Sequence, residues 1–294
     1  LGDVALVSAV LDAFGEHEAA LLTYEPFGEL YRHDPRVRAI QIPRGTKPAE
    51  AARAAGKGWD LLLDLHAKPL TFLISQLISA RRRVRVKKRA LRRRLGVWFK
   101  LKVPFVPVFK LYCEAAERAI GREIPCKPKL YPPPSGPEVP ENAVVLAPGG
   151  RSPARRWPYF PELAELLLSE GYTPVWVGLR GEGRGEPGLN FLGKTSIPEL
   201  LWVISKAKAL VSGDTAPLHL ARGLGVKAVA IFGPTTPELG FGLLPEEGVN
   251  LGVNLPCRPC ALHGNPRKCP YNYKCLREIK PEEVYRALLP LLRG

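Results

Sequence analysis

The chain of 294 residues has no methionine, no acidic residue between positions 81 and 102, and no long uninterrupted apolar run. The last absence excludes a membrane-spanning helix, which needs about 18–20 consecutive apolar residues. The opening residues show no basic-then-apolar leader, so nothing there reads as a secretory signal. With no Met even at position 1, the chain is expected to start inside a longer gene product or after processing. Asn occurs six times and Gln twice, against 31 prolines. Few thermolabile amides and much proline is the composition expected of a heat-adapted protein.

What is present is a globular amount of apolar residue, 46%, and a net charge of +15. The length suffices for two ordinary domains. The charge is uneven: residues 81–102 hold twelve Lys or Arg. Such a block attracts nucleic acid, an anionic membrane surface or an acidic glycan. A solvated face without a partner is the alternative, at the cost of self-repulsion.

Short apolar strands alternate with amphipathic helices, which argues for parallel βαβ units. VSAVLDAFGEHEAALLTYEP reads as helix then strand, QIP and VRV as short strands, and Asp60–Leu65 as a buried strand. PPPSGPEVP, residues 132–140, is a stiff connector. After it the alternation restarts with AVVLAPGG and continues through ALVSGD, PLHLARGLG and VKAVAIFGPT to a terminal helix, PEEVYRALLPLLRG, expected to be interrupted at Pro290. The expected domains are 1–131, the linker 132–140, and 141–294. Two such domains imply a cleft, and ligands of open α/β sheets sit at the carboxyl ends of the strands.

At those ends stand the residues with chemistry. Asp214 closes one strand and Thr215–Ala216 open the next helix, whose amides and dipole suit a phosphate. His219 lies one turn further. Plain helix capping by Asp214 or Thr215, with His219 in the core, explains the same residues. Gly233, Thr235 and Thr236 form the turn FGPTT. Gly149 and Gly150 permit close approach, and Arg151, Arg155 and Arg156 follow them with guanidinium groups fit for a diphosphate. Glu182, after another strand, could accept from ribose hydroxyls. Asp3, at the other end of the chain, reads equally as a helix N-cap. In the tail, Cys257, Cys260, Cys269 and Cys275 follow C-x2-C-x8-C-x5-C spacing. Zinc, disulfides and free thiols are all open, with the disulfide or free-thiol state favoured because the second half lacks a matching C-x-x-C.

LGDV, PGGRSPARRWP, VGLRGE, GDTAPLHLA, FGPTTPE and LPCRPC occur in this order along the chain. With them the chain resembles glycosyltransferase family 9, the ADP-heptose:lipopolysaccharide heptosyltransferases, most nearly the heptosyltransferase II branch. The resemblance implies a GT-B fold of two Rossmann-like domains facing across a cleft, with the leading strand before LGD missing. It implies inverting, metal-independent transfer of a heptose from ADP-heptose to lipopolysaccharide inner core, with no cofactor. Asp3 matches the catalytic base. Arg155, standing where the family has lysine, and the helix start at Thr215–Ala216 match the groups that stabilise the leaving ADP, aided by His219. Gly149, Gly150, Arg151, Glu182, Asp214 and Thr235 complete the donor side. Ala216 replaces the glycine usual after the Asp-Thr pair. His66 and Lys68, after a strand of the first domain, and Arg92, Arg93 and Arg94 are expected to meet the anionic acceptor. The resulting enzyme would be cytoplasmic and peripheral to the inner membrane. The alternatives are a nucleic-acid-binding protein, which would need more stacking aromatics than Trp98 and Phe99 supply, and another nucleotide-sugar enzyme such as a UDP-sugar epimerase.

Overall fold

The computed structural model describes residues 1–100, 104–149, 152–262 and 269–293, without the side chains of residues 90–92. The chain divides into two compact units. Residues 3–89 and 108–131 make the first, and residues 90–107 and 132–294 the second.

The first unit opens with α1 (Gly2–Leu6), continued by a 3-10 segment to Phe14. The expected helix is therefore present, but Leu1 occupies its N-cap and Asp3 lies inside the first turn, so Asp3 is not a capping residue. β1 (Ala20–Tyr24) pairs in parallel with β2 (Arg38–Ile42). β3 (Trp59–Asp64) pairs in parallel with β4 (Ala80–Arg85). Between the strands lie α2 (Pro48–Ala55) and α3 (Pro69–Leu77), and α5 (Val108–Ile120) closes the unit after α4 (Ala90–Phe99), which packs with the second unit. The two strand pairs form separate ladders rather than one sheet. A disulfide between Cys113 and Cys126 ties α5 to the segment that follows it. The sequence offered no signal for this pairing beyond the two cysteines.

The second unit is a six-stranded parallel sheet ordered β10-β9-β8-β5-β6-β7. Its strands are β5 (Ala143–Ala147), β6 (Thr173–Trp176), β7 (Leu189–Asn190), β8 (Ala209–Gly213), β9 (Ala228–Ile231) and β10 (Gly248–Leu251). The helices are α6 (Phe160–Ser169), α7 (Ile197–Ser205), α8 (Ala216–Leu224), the short α9 (Lys274–Arg277) and α10 (Pro281–Arg293). β5, β8 and β9 are buried along their whole length, as strands covered on both faces should be. Ser196 caps α7, accepting from the Glu199 amide at 3.3 Å while the Glu199 carboxylate accepts from Ser196 N at 2.7 Å.

α10 runs through Pro290 without a break, contrary to the expected interruption. Pro290 lies on the exposed side of the last turn, while Val284, Leu288 and Leu292 at i, i+4 and i+8 are buried. Each such side chain contributes about 1.5–3 kcal/mol by burial, enough together to offset one lost backbone hydrogen bond.

Candidate functional site

In the second unit the chain leaves β5 to one side for β6 and β7, then returns to the other side for β8, β9 and β10. The loops after β5 and β8 therefore part in opposite directions, and a crevice opens between the carboxyl ends of these two strands. A recess at this position is lined by Arg155, Asp214, Gly233, Pro234 and Thr235. Arg155 closes a short 3-10 turn, Pro153–Arg155, whose N-cap Ser152 accepts from Ala154 N at 3.3 Å. Asp214 follows β8 directly, and Thr235 lies four residues beyond β9. Three loops distant in the chain thus deliver a cation, a carboxylate and a hydroxyl to one place.

Their arrangement is held by specific bonds. Thr235, only 2% exposed, donates its hydroxyl proton to Asp214 Oδ2 at 3.0 Å. Thr215 is the N-cap of α8, but its hydroxyl lies 2.9 Å from Ser212 Oγ and makes no cap bond. Thr215 therefore does not cap α8 through its hydroxyl. The Thr215 hydroxyl thus leaves the positive end of α8 without a cap bond of its own, an arrangement suited to an anion. Gly149, at φ +22°, packs against this turn: a Cβ there would lie 3.3 Å from Thr215 Oγ1. The glycine thus lets the loop after β5 approach the start of α8. Gly150 and Arg151 lie outside the described residues. Glu182, at the end of the turn after β6, is half-buried and accepts from Leu179 N at 2.8 Å.

His219 takes the core position that the plain-capping alternative expected, not the role at the leaving diphosphate that the family resemblance implies. It is 4% exposed, packed beside the Phe241 ring, and its Nδ1 lies 3.4 Å from Arg222 Nη1. Burial first, and then the Arg222 charge, push its pKa down to about 3. A neutral imidazole enclosed in this way cannot supply the positive charge expected of it at a leaving diphosphate. Arg222 itself is buried and holds Glu247 through Nε and Nη2 at 2.8–2.9 Å.

Arg258, inside the C-R-P-C tail, was not foreseen as a site residue. Its guanidinium donates to the carbonyls of Gly233 at 2.6 Å, Phe232 at 2.8 Å and Thr235 at 3.0 Å. Cys260 N donates to Pro234 O at 2.9 Å. The tail therefore fastens the FGPTT turn, and through it Thr235. The signal in the sequence was an arginine set between two cysteines and two prolines. Cys257, Cys260, Cys269 and Cys275 form no disulfide among the described residues. Burial raises the Cys275 pKa to about 11.

In the first unit, His66 follows β3 by two residues. Loss of solvent around the ring lowers its pKa, and Lys88 and Lys68 lower it further, against the opposing pull of Asp3 and Asp64. Asp3 and His66 are thus within electrostatic reach of each other, although 63 positions separate them in the sequence. Lys88 is a further cation of this group that the sequence did not single out. Asp64, buried, accepts from Ala67 N at 2.8 Å and faces Arg85 Nε at 3.1 Å. Asp3 and Lys68 are exposed.

The basic block is divided between the two units. Residues 81–89 belong to the first unit and 90–100 to the second. Nor are its charges unopposed: Arg81 pairs with Asp60, Arg85 with Asp64 and Arg89 with Glu114 at 3.0–3.1 Å. The acids come from β3 and α5, which the local sequence could not show. Arg93 Nη1 donates to Leu239 O at 3.2 Å, and Lys100 Nζ to Cys257 O at 3.1 Å and Pro259 O at 2.6 Å. Arg93 thus carries a bond to its own unit. Arg94 is exposed. The Arg92 side chain lies outside the described residues.

Residues 126–270 match the sequence profile described as glycosyltransferase family 9 (heptosyltransferase). Lipooligosaccharide heptosyltransferase 2 of Haemophilus influenzae is 31% identical over 114 residues, 32% of each chain. Lipooligosaccharide heptosyltransferase 2 of Campylobacter jejuni is 33% identical over 159 residues, 48% of each chain. The matched stretches thus span about a third to a half of these relatives' own length. The structure of Escherichia coli ADP-heptose lipopolysaccharide heptosyltransferase II superposes with a TM-score of 0.70 at 18% identity, covering 99% of this chain and 94% of that one. That likeness carries the fold: the α/β, GT-B architecture expected from the sequence.

Proposed function

Through residues 126–270 the chain belongs to glycosyltransferase family 9, and on that footing we propose that it is an inverting glycosyltransferase moving a heptose from ADP-heptose to an anionic glycolipid of the lipopolysaccharide inner core. The observation that carries this reading is the convergence of Arg155, Asp214 and Thr235 at the β5/β8 switch point. A site for a nucleoside diphosphate sugar needs positive charge for the diphosphate and a fixed acceptor for sugar hydroxyls. Arg155 and the start of α8 meet the first need, and Asp214 the second.

In the reaction the acceptor oxygen bonds to the anomeric carbon as the bond from that carbon to the diphosphate breaks. Asp3 of the first unit takes the acceptor proton. Arg155, with the α8 dipole, stabilises the charge that develops on the departing ADP, so the chemistry is metal-independent. Asp214, oriented by Thr235, holds the donor sugar. Glu182 accepts from the ribose hydroxyls. His66 and Lys68 bind acidic groups of the acceptor. His219 is assigned no part in the chemistry. The enzyme works in the cytoplasm, at the membrane that holds its acceptor.

Calorimetric titration with ADP, UDP and GDP, followed by transfer assays with ADP-heptose and a lipid A–Kdo acceptor, tests the reading. Selective ADP binding with heptose transfer is expected. Preference for UDP would replace it with a UDP-sugar enzyme of the same fold, and transfer to no glycolipid would remove the acceptor assignment.

A further inference from the structure

Helix α3 is turned inside out for a surface helix. Ile74, with Ile78 just past the C-terminus, packs against Ala51, Ala52 and Ala55 of α2 and Ile42 of β2. Four larger apolar residues face outward instead: Leu70 is 42% exposed, Phe72 48%, Leu73 49% and Leu77 50%. Leu70, Leu73 and Leu77 stand at i, i+3 and i+7 and form one stripe. Such a stripe on a lone water-facing helix has no use in water and marks an interaction surface.

Cations frame this stripe. Residues 65–89 contain eight Lys or Arg and no acid. At the start of α3, Lys68 is exposed, and Arg85 lies over the Phe72 ring at 5.1 Å while donating to Lys68 O at 3.0 Å. At its end, Arg83 donates to Ser75 O at 2.9 Å and to Ile78 O at 2.6 Å. Arg81 and Arg82 are exposed on the neighbouring strand β4. The Arg83 and Arg85 guanidinium groups are therefore held against the helix by bonds to its own backbone and ring, while Arg81 pairs with Asp60 and Arg82 donates to Arg118 O at 2.9 Å.

We propose that α3 and β4 form a membrane-docking surface: Leu70, Leu73 and Leu77 enter the apolar boundary of a bilayer while the flanking Lys and Arg meet anionic lipid headgroups. An apolar stripe bordered by basic residues is the pattern of interfacial membrane binding, in which neither part alone anchors firmly. Charge decides between occupants. A second copy of the chain would bring the same cations face to face. A nucleic acid would meet the cations but leave three leucines exposed. The surface takes its purpose from the proposed glycolipid acceptor, but its test uses lipid without acceptor or donor.

The experiment is flotation of the whole chain with vesicles of phosphatidylcholine and phosphatidylglycerol, against vesicles of phosphatidylcholine alone, at low and high salt. Partition onto the anionic vesicles is expected, weakened by salt. Changing Leu70, Leu73 and Leu77 together to Ser should lower it about tenfold or more. These side chains are half-exposed, so the triple variant is expected to keep its ADP affinity, which serves as the folding check. As a second measurement, Leu73→Trp should show blue-shifted emission on vesicle addition, with quenching by brominated lipid. Absence of partition by the native chain, equal partition of the triple variant, or unmoved Trp emission overturns the proposal. Self-association without vesicles that the triple variant abolishes would identify a second copy as the occupant. Failure of ADP binding with intact vesicle binding would instead count against the enzymatic reading alone.

Discussion

Thr235 donates a hydrogen bond to Asp214 across 3.0 Å, joining the loops that follow β9 and β8. Thr235 is buried, so its hydroxyl has little water to turn to and is committed to this carboxylate. Thr235→Val keeps the shape and removes the donor. The expected result is ADP-heptose affinity lower by about 1–3 kcal/mol, roughly the value of a hydrogen bond to a charged group. Titration of donor into both proteins measures it, and an unchanged affinity would free Asp214 from its assigned role.

Arg155 ends the turn after β5 and lines the same recess. Arg155→Ala should weaken ADP binding by about 1–3 kcal/mol, with a smaller loss for Arg155→Lys, which keeps charge but not the planar fork. Equal ADP affinity in the Ala variant and the native protein would shift the diphosphate to another cation.

Asp3 is exposed, and its charge is felt by His66. Asp3→Asn should lower turnover about a hundredfold or more while donor affinity stays nearly the same. Turnover within a few-fold of native would remove Asp3 as the base.

Arg258 holds three carbonyls of the turn that carries Thr235. It acts through that turn rather than on a ligand. Arg258→Met should therefore reduce both thermal stability and ADP affinity, whereas Thr235→Val should leave stability closer to native. The loss of several charge-assisted bonds at a half-buried group is expected to amount to about 2–4 kcal/mol of folding stability. Denaturant titration of the two variants side by side separates a positioning role from direct contact; full stability in Arg258→Met would refute the positioning role.

His219 has a folded pKa of about 3, below its ordinary 6.5. Protons are then bound preferentially by the unfolded chain, so acid destabilises the fold through this group. Its contribution is complete above pH 6.5 and is lost as pH falls from there toward 3. The loss is on the order of a few kcal/mol. Urea unfolding at a series of pH values should show a flatter acid limb in His219→Asn than in the native chain. Identical slopes in both would assign the acid limb to other groups.

The parallel α/β plan was legible because it rests on local pattern. The runs AVVLA, ALVSG and AVAI are too apolar and too short for anything but buried strands, and each is followed by a helix start. The residues at their carboxyl ends were legible for the same reason: chain order alone places Asp214 after ALVSG and Thr235 after AVAI. Pro290 misled because a proline's cost is local, while the compensating burial of Leu288 and Leu292 comes from elsewhere in the chain.

By itself, then, the amino-acid sequence determined the alternation of strands and helices and the chemistry standing at the strand ends, but not that residues 90–107 join the second unit. Burial and backbone periodicity are written within a few neighbouring residues. Only the tertiary structure decided that β5 and β8 are neighbours, and hence that Arg155 and Asp214 share a recess. It also decided that Arg258 fastens the FGPTT turn and that His219 is sealed and neutral. The pairing of Arg81 and Arg85 with Asp60 and Asp64 rests on the parallel register of β3 and β4. Each of these depends on groups far apart in the chain, or on how fully water is excluded from one of them. Those are properties of packed neighbours, and no stretch of sequence holds them.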